Sequence, residues 1–250
     1  MPIWRDLSDF ILPRICCVCG KRLGVNEQHI CSPCLMHLPF TNYHTVEHSL
    51  LEKQFWGLFP IEKAVALFHH DGEKTRRIIY HIKYWKRPKI ATFLAAMYAE
   101  ELKDVHFFDD IDCIVPLPLH WRKQLKRSYN QSHYIAKGIH QVTGLPVYYH
   151  VVKRENNNPS QTHLSIHERQ ENVKDVFRLT HPEKIEDKHI LLVDDVTTTG
   201  ATLTSCAKEL CKAPHVKISI LTLAVAARTP IPALQNDAID VSSFGLPLME

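Results

Sequence analysis

The chain has 250 residues, 45% of them hydrophobic and 23% charged, with a net charge of +3. That is ordinary globular composition, with room for one sizeable core and a small extra module, and so mild a charge does not by itself call for a nucleic-acid partner. Met1–Asp9 carries two Asp and no apolar stretch of the signal-peptide kind, and the longest apolar run, Ile218 to Ala227, is too short to cross a bilayer. A cytoplasmic protein without membrane insertion is the expectation.

Residues 1–58 hold five of the eight cysteines and little periodic pattern, as suits a module too small for its own hydrophobic core. In a reducing compartment they argue for metal or reactive thiols rather than disulfides. Cys16-Cys-Val-Cys19 and Cys31-Ser-Pro-Cys34 are two C-x-x-C pairs separated by eleven residues. Each pair brings two thiolates to one ion from a tight turn, and two pairs close a tetrahedral shell. Cys16, Cys19, Cys31 and Cys34 are therefore the expected ligands of a structural Zn²⁺. Cys17 and His29 lie close enough to compete, but the regular spacing favours Cys16, and four thiolates leave no open position for chemistry. The ion would staple a module that does not otherwise fold. Cys113, Cys206 and Cys211 read as small core residues.

Residues 59–228 alternate helical and strand patterns, which predicts an α/β domain with a mostly parallel sheet. Apolar residues at helical spacing mark Lys74–His81 and Ile90–Lys103. Asp112–Val115 is a short apolar run stopped by Pro116 and Pro118, a buried strand leading into a stiff loop. Ser128–Val142 reads as a helix ended by Gly144-Leu-Pro146. Val147–Val152 reads as a strand, Asn156–Pro159 as a turn and Ser165–Val173 as a short helix. Val176–Leu179, His189–Val193 and Val216–Ala226 complete the strands, with a helix from Gly200 to Cys211 between the last two. Residues 229–250 are weakly patterned and read as a C-terminal tail.

The segment after His189 concentrates the chemistry. A continuous apolar strand ends in Asp194 and Asp195, followed by Thr197, Thr198, Thr199, Gly200 and an amphipathic helix. In open α/β sheets ligands bind beyond the carboxyl ends of the strands. A helix N-terminus preceded by hydroxyl residues and Gly presents unpaired N–H groups to a phosphate. Adjacent acids repel each other unless something uses them, and vicinal sugar hydroxyls or a hydrated Mg²⁺ would do so. The plain alternative, an Asp-Thr cap on an ordinary helix, accounts for the loop but not for the pair.

Ile190–Thr202 closely resembles the phosphoribosyl pyrophosphate (PRPP) signature of type I phosphoribosyltransferases. The resemblance implies that Asp194 and Asp195 hold the ribose hydroxyls as the catalytic pair, while Thr198, Thr199, Gly200, Ala201 and Thr202 cradle the 5′-phosphate. Thr197 enters the same loop where an aliphatic residue is commoner. With the cysteine pairs in front, the chain resembles the ComF family, competence-associated phosphoribosyltransferase-like proteins. Phe68-His-His-Asp-Gly72, Ile78–Tyr84, Val115-Pro-Leu-Pro118, Arg122 and Arg127-Ser-Tyr-Asn-Gln131 follow that family's order, as do Arg154, Gln161, Arg169 and Asn172. Lys83, Arg127, Asn130 and Gln131 are then expected at the pyrophosphate, with Mg²⁺ accompanying PRPP. Two positions depart: Ser128 replaces a Gly, and Lys83-Tyr-Trp-Lys86 lacks one.

The family implies transfer of phosphoribosyl to an unidentified amine or nucleobase and a link to DNA uptake. The alternative is a non-catalytic PRPP sensor that binds single-stranded DNA through the basic stretches Lys74–Lys89 and Arg122–Lys137. There Tyr80, Tyr84, Trp85, Trp121, Tyr129 and Tyr134 are candidate stacking rings. A zinc scaffold that docks a competence helicase is a third possibility.

Overall fold

A computed structural model describes residues 13–155 and 177–226. Four parallel strands form the sheet in the order β1-β6-β5-β2: β1 (Ile61–His69), β2 (Cys113–Pro116), β5 (His189–Thr197) and β6 (Lys217–Val225). Parallel neighbours cannot be joined by tight turns, so helices make the crossovers. These are α3 (Glu73–Tyr84) and α4 (Lys89–Asp104) after β1, α5 (Trp121–Arg127) and α6 (Gln131–Thr143) after β2, and α7 (Ala201–Leu210) between β5 and β6. A two-stranded antiparallel pair, β3 (Val152–Arg154) and β4 (Phe177–Leu179), lies apart from the main sheet.

Alternation along β5 builds two cores. Leu191 and Val193 join Ile78, Ile82, Leu94 and Ile135 on the face covered by α3, α4 and α6. Ile190 and Leu192 join Leu51, Phe55, Leu203 and Leu210 on the opposite face. A strand buried on both faces reads as an unbroken apolar run, and β5 does. The cysteine region shares these cores. Its short helix α1 (Ser32–Met36) supplies Cys34 to the first, and α2 (Leu50–Lys53) supplies Leu51 to the second. Between them the chain runs along the outer edge of β1, where Phe40 bridges Phe68, Thr41 N–H donates to Leu67 O at 3.1 Å and His69 N–H donates to Pro39 O at 2.8 Å. These bonds cover an edge that would otherwise present free N–H and C=O groups.

The α/β class with a mostly parallel sheet is as the sequence predicts, and several elements differ in detail: helix α5 is additional, and β5 runs past Val193 to Thr197. β1 is an additional strand; its alanines, Ala64 and Ala66, have weak strand propensity and hide it. The helix expected from Ser128 begins at Gln131, because Ser128 closes α5 in the left-handed conformation at φ 67° and Asn130 caps the next helix. The strand expected over Val147–Val152 is broken: Val147 bridges Ile114 on the main sheet, the chain turns at Tyr149–His150, and Val152 pairs with Leu179 as the first residue of β3. The strand expected from Val176 is described from Phe177. Asn156–Pro159, the helix over Ser165–Val173, with Gln161, Arg169 and Asn172, and the tail over 229–250 lie outside the described residues.

Helices α4 and α6 cross closely through Gly138, where an added Cβ would meet Thr92 O at 2.4 Å and the Ala95 Cβ at 2.9 Å. Gly138→Ala should therefore destabilise the fold by about 1–3 kcal/mol, lowering the thermal midpoint by roughly 2–12 °C. An unchanged midpoint in calorimetry would show that the two helices can separate at no cost.

Candidate active site at the carboxyl edge of the sheet

The carboxyl ends of β5 and β2 and the start of α6 surround a polar pocket of about 130 Å³. Asp194 and Asp195 form its floor. They are neighbours on a strand, so their side chains leave in different directions and meet different partners. Asp195, 9% exposed, forms an ion pair of 2.9 Å with Lys83, which reaches in from the last turn of α3. Asp194 accepts a hydrogen bond of 3.0 Å from the Ser132 hydroxyl on the first turn of α6. Burial and the adjacent Asp195 carboxylate push Asp194 up to about 7, while the Asp195 backbone, Lys83 and Ser132 pull the other way.

Cations and amide donors close the opposite wall. Lys123 and Arg127 stand one turn apart on α5 and both face the pocket. The Arg127 guanidinium lies over the Tyr84 ring, 5.1 Å from its centre. Arg154 on β3 joins them, stacked 5.3 Å from Phe177, and burial depresses its basicity while Asp194 supports its charge. Gln131 is 1% exposed, and its Nε2 has no hydrogen-bond partner among the described residues; the Arg154 Nε is in the same condition. A buried donor without an acceptor is costly, and an anion in this pocket would supply the acceptor. Asn130 is placed otherwise: its Oδ1 accepts from Ser132 N–H at 3.0 Å and its Nδ2 donates to Leu117 O at 2.9 Å. It fixes the loop instead of facing the pocket.

The threonine loop sits above the acids. Thr197 ends β5, 2% exposed, with its Oγ1 unpartnered among the described residues. Thr198 and Thr199 are exposed, as are Ala201 and Thr202 in the first turn of α7, where the Ala201 N–H donates to Thr199 Oγ1 at 3.4 Å. Gly200 joins the halves in the left-handed conformation at φ 73°, and a Cβ there would meet Gln54 Nε2 and Phe55 Cε1, both at 2.7 Å. Gln54 donates from Nε2 to Thr198 O at 3.2 Å. The segment that carries the cysteines thus braces the loop from outside.

Away from this pocket, Cys16, Cys19, Cys31 and Cys34 bring their sulfur atoms within 4.8 Å of one another, close enough to bind one metal ion. Cys19 and Cys31 are 3.7 Å apart. Backbone N–H groups of Val18 and Cys31 point at the Cys16 sulfur, each at 3.4 Å. Burial raises the Cys16 thiol, but backbone donors, that of Cys19 foremost and then those of Cys31 and Val18, prevail and bring it down to about 7. Cys17 stands outside the group, and burial drives it up to about 12. His29 is also outside, edge-on to Phe93.

The phosphoribosyl transferase domain family matches residues 130–247, which marks that part of the chain as phosphoribosyltransferase-like. Competence protein F of Haemophilus influenzae is 26% identical, covering 84% of this chain and 96% of its own length. DNA utilization protein YhgH of Salmonella typhimurium is 30% identical, over 80% of this chain and 91% of that one. The chain belongs to the ComF family of phosphoribosyltransferase-like proteins. Among solved structures, glutamine PRPP amidotransferase from B. subtilis is 19% identical over 56% of this chain and 30% of that one, with a TM-score of 0.39.

Sequence reasoning missed Ser132 and Lys123 and knew Arg154 only through the family resemblance. Lys123 carried a signal, standing four residues before Arg127 on one helix face. Ser132 carried none, since only the fold brings it to Asp194.

Asp194 is raised in the folded state above the usual carboxylate value of 3.8. Its protonated form therefore favours folding, and that contribution is lost as pH rises from about 4 to about 7. Asp194→Asn cannot ionise, so chemical denaturation should show the variant gaining on wild type through this window. A difference that stays level or shrinks with pH would contradict the assigned environment.

Proposed function

We propose that this protein binds PRPP, with Mg²⁺, in the pocket at the end of β5 and transfers its phosphoribosyl group to the nitrogen of an amine or nucleobase. The observation that carries the reading is the pocket's division: two carboxylates on one side, unsatisfied or cationic donors on the other, and a helix N-terminus above. A sugar bearing phosphates at both ends matches that division. Asp194 and Asp195 take the ribose hydroxyls, residues 198–202 take the 5′-phosphate, and Arg127, Gln131 and Lys83 meet the pyrophosphate. In the step itself the acceptor nitrogen bonds to C1 of the ribose as the C1–O bond to pyrophosphate breaks. Pyrophosphate leaves with the bonding electrons, and the acceptor gives up its proton. Mg²⁺ would supply charge neutralisation at the leaving group. The protein positions both reactants and offsets charge with Arg127, Lys123 and Arg154.

In the same reading residues 1–58 form a zinc-stapled module and residues 59–228 the transferase-like domain. Free thiols and the substrate suit a reducing cytosol. Among the described residues no helix is long and apolar enough to cross a membrane. Purified protein should carry one zinc per chain, and chelation should lower its thermal midpoint; metal-free protein of undiminished stability would remove the staple.

A second reading keeps PRPP as a ligand only, in a competence factor that holds single-stranded DNA. Tyr80, Tyr84 and Trp85 favour it, since each is more than half exposed and the Tyr80 and Tyr84 rings lie 5.0 Å apart at a tilt of 44°, with Lys86 two residues after Tyr84. Tyr129 and Tyr134 do not contribute, being partly buried against each other, with the Tyr129 hydroxyl donating to Ile82 O. A helicase partner would dock through the same family role.

Incubation with PRPP, Mg²⁺ and a panel of amines and nucleobases separates the two. Acceptor-dependent pyrophosphate release, lost in Asp195→Asn, supports the transferase. Tight PRPP binding without turnover, together with a salt-sensitive shift of single-stranded oligonucleotides lost on charge reversal at Lys86 and Arg87, supports the sensor.

A further inference from the structure

The two acids are held by different kinds of partner, and the difference bears on how they meet a ligand. Lys83 brings a full positive charge to Asp195. Ser132 brings a neutral hydroxyl to Asp194, donating to Oδ1 at 3.0 Å. A neutral donor fixes the plane of the carboxylate without cancelling its charge. With one acceptor site of Oδ1 engaged, the orientation of the carboxylate is set and its other acceptor sites remain for a ligand.

Ser132 is itself tightly placed. It is 2% exposed, it lines the pocket, and its backbone N–H is held by the Asn130 side chain. Asn130 in turn grips Leu117 O in the stiff loop after β2. One hydrogen-bonded chain therefore runs from Leu117 through Asn130 and Ser132 to Asp194, tying the loop on the pyrophosphate side to the acid on the ribose side. The helix cap uses only the backbone of Ser132, so the hydroxyl is free for this second task.

The geometry points to Ser132 as a positioning residue that aims Asp194 at the vicinal hydroxyls of a ribose; this inference rests on the PRPP reading of the pocket. Ser132 governs recognition of the sugar and leaves recognition of pyrophosphate to Arg127, Gln131 and Lys83. A residue that merely supports the start of α6 would affect both.

Calorimetric titration of the full chain with Mg²⁺–PRPP and with Mg²⁺–pyrophosphate tests the split. Ser132→Ala is expected to weaken PRPP by about tenfold, the effect of one hydrogen bond to a charged group, while pyrophosphate affinity stays within about twofold. Ser132→Thr keeps the hydroxyl and should restore PRPP binding. If Ser132→Ala fails to fold, Ser132→Cys replaces it, keeping the volume with a weaker donor, and should give the same selective loss. PRPP affinity equal to wild type, or parallel loss of both ligands, overturns the assignment of Ser132 alone. Wild-type protein that binds pyrophosphate but gains nothing from the ribose, or binds neither ligand, overturns the PRPP reading and this inference with it.

Discussion

Two carboxylates at the end of a strand buried on both faces are the constraint around which the rest is arranged. Asp194 and Asp195 follow Val193, which is 0% exposed; Asp195 is itself buried and Asp194 half-buried. Their charge has to be met locally or suppressed. Lys83 meets one, from the far end of the helix that follows β1. Burial and repulsion drive the other toward its neutral form, and Ser132 acts against that drift. An arrangement of this kind is poorly suited to stability for its own sake. It is understandable as a site held ready for a ligand whose hydroxyl groups share the acids and whose phosphates answer the surrounding donors.

The same constraint explains why distant segments converge on so small a pocket. α3 contributes Lys83 to the acids and Tyr84 to the stack beneath Arg127. α6 contributes Gln131 and Ser132, while the β2–α5 loop is fastened to α6 through Asn130. The cysteine-bearing region is not remote from this chemistry. It runs along the edge of β1 and ends in α2, where Gln54 and Phe55 back the threonine loop at Gly200. A metal at the four cysteines would stiffen the start of that path, far from any reacting atom.

What was legible in the sequence was what is local in the sequence. The strand, acids, threonines and glycine of Ile190–Thr202 are contiguous, so their order alone carries the pattern. The four cysteines are legible by spacing, and the structure gathers those four without Cys17. The rest depends on tertiary placement. Ser132 lies 62 residues from Asp194 along the chain, and nothing in its neighbourhood marks it as a partner for an acid. Asn130 was readable as a site residue, but only the fold reveals that its amide is spent on a cap and a loop carbonyl. Ser128 hid a helix break because a serine in the left-handed conformation has no glycine to announce it.

The central claim is that the pocket at the end of β5 holds PRPP by its ribose and its phosphates together. Crystals grown with PRPP and Mg²⁺ test it most directly. The account predicts the ribose hydroxyls on Asp194 and Asp195, the 5′-phosphate over the N–H groups at the start of α7, and the pyrophosphate against Arg127 and Gln131. Ligand bound elsewhere, or a pocket still empty at saturating PRPP, would contradict it.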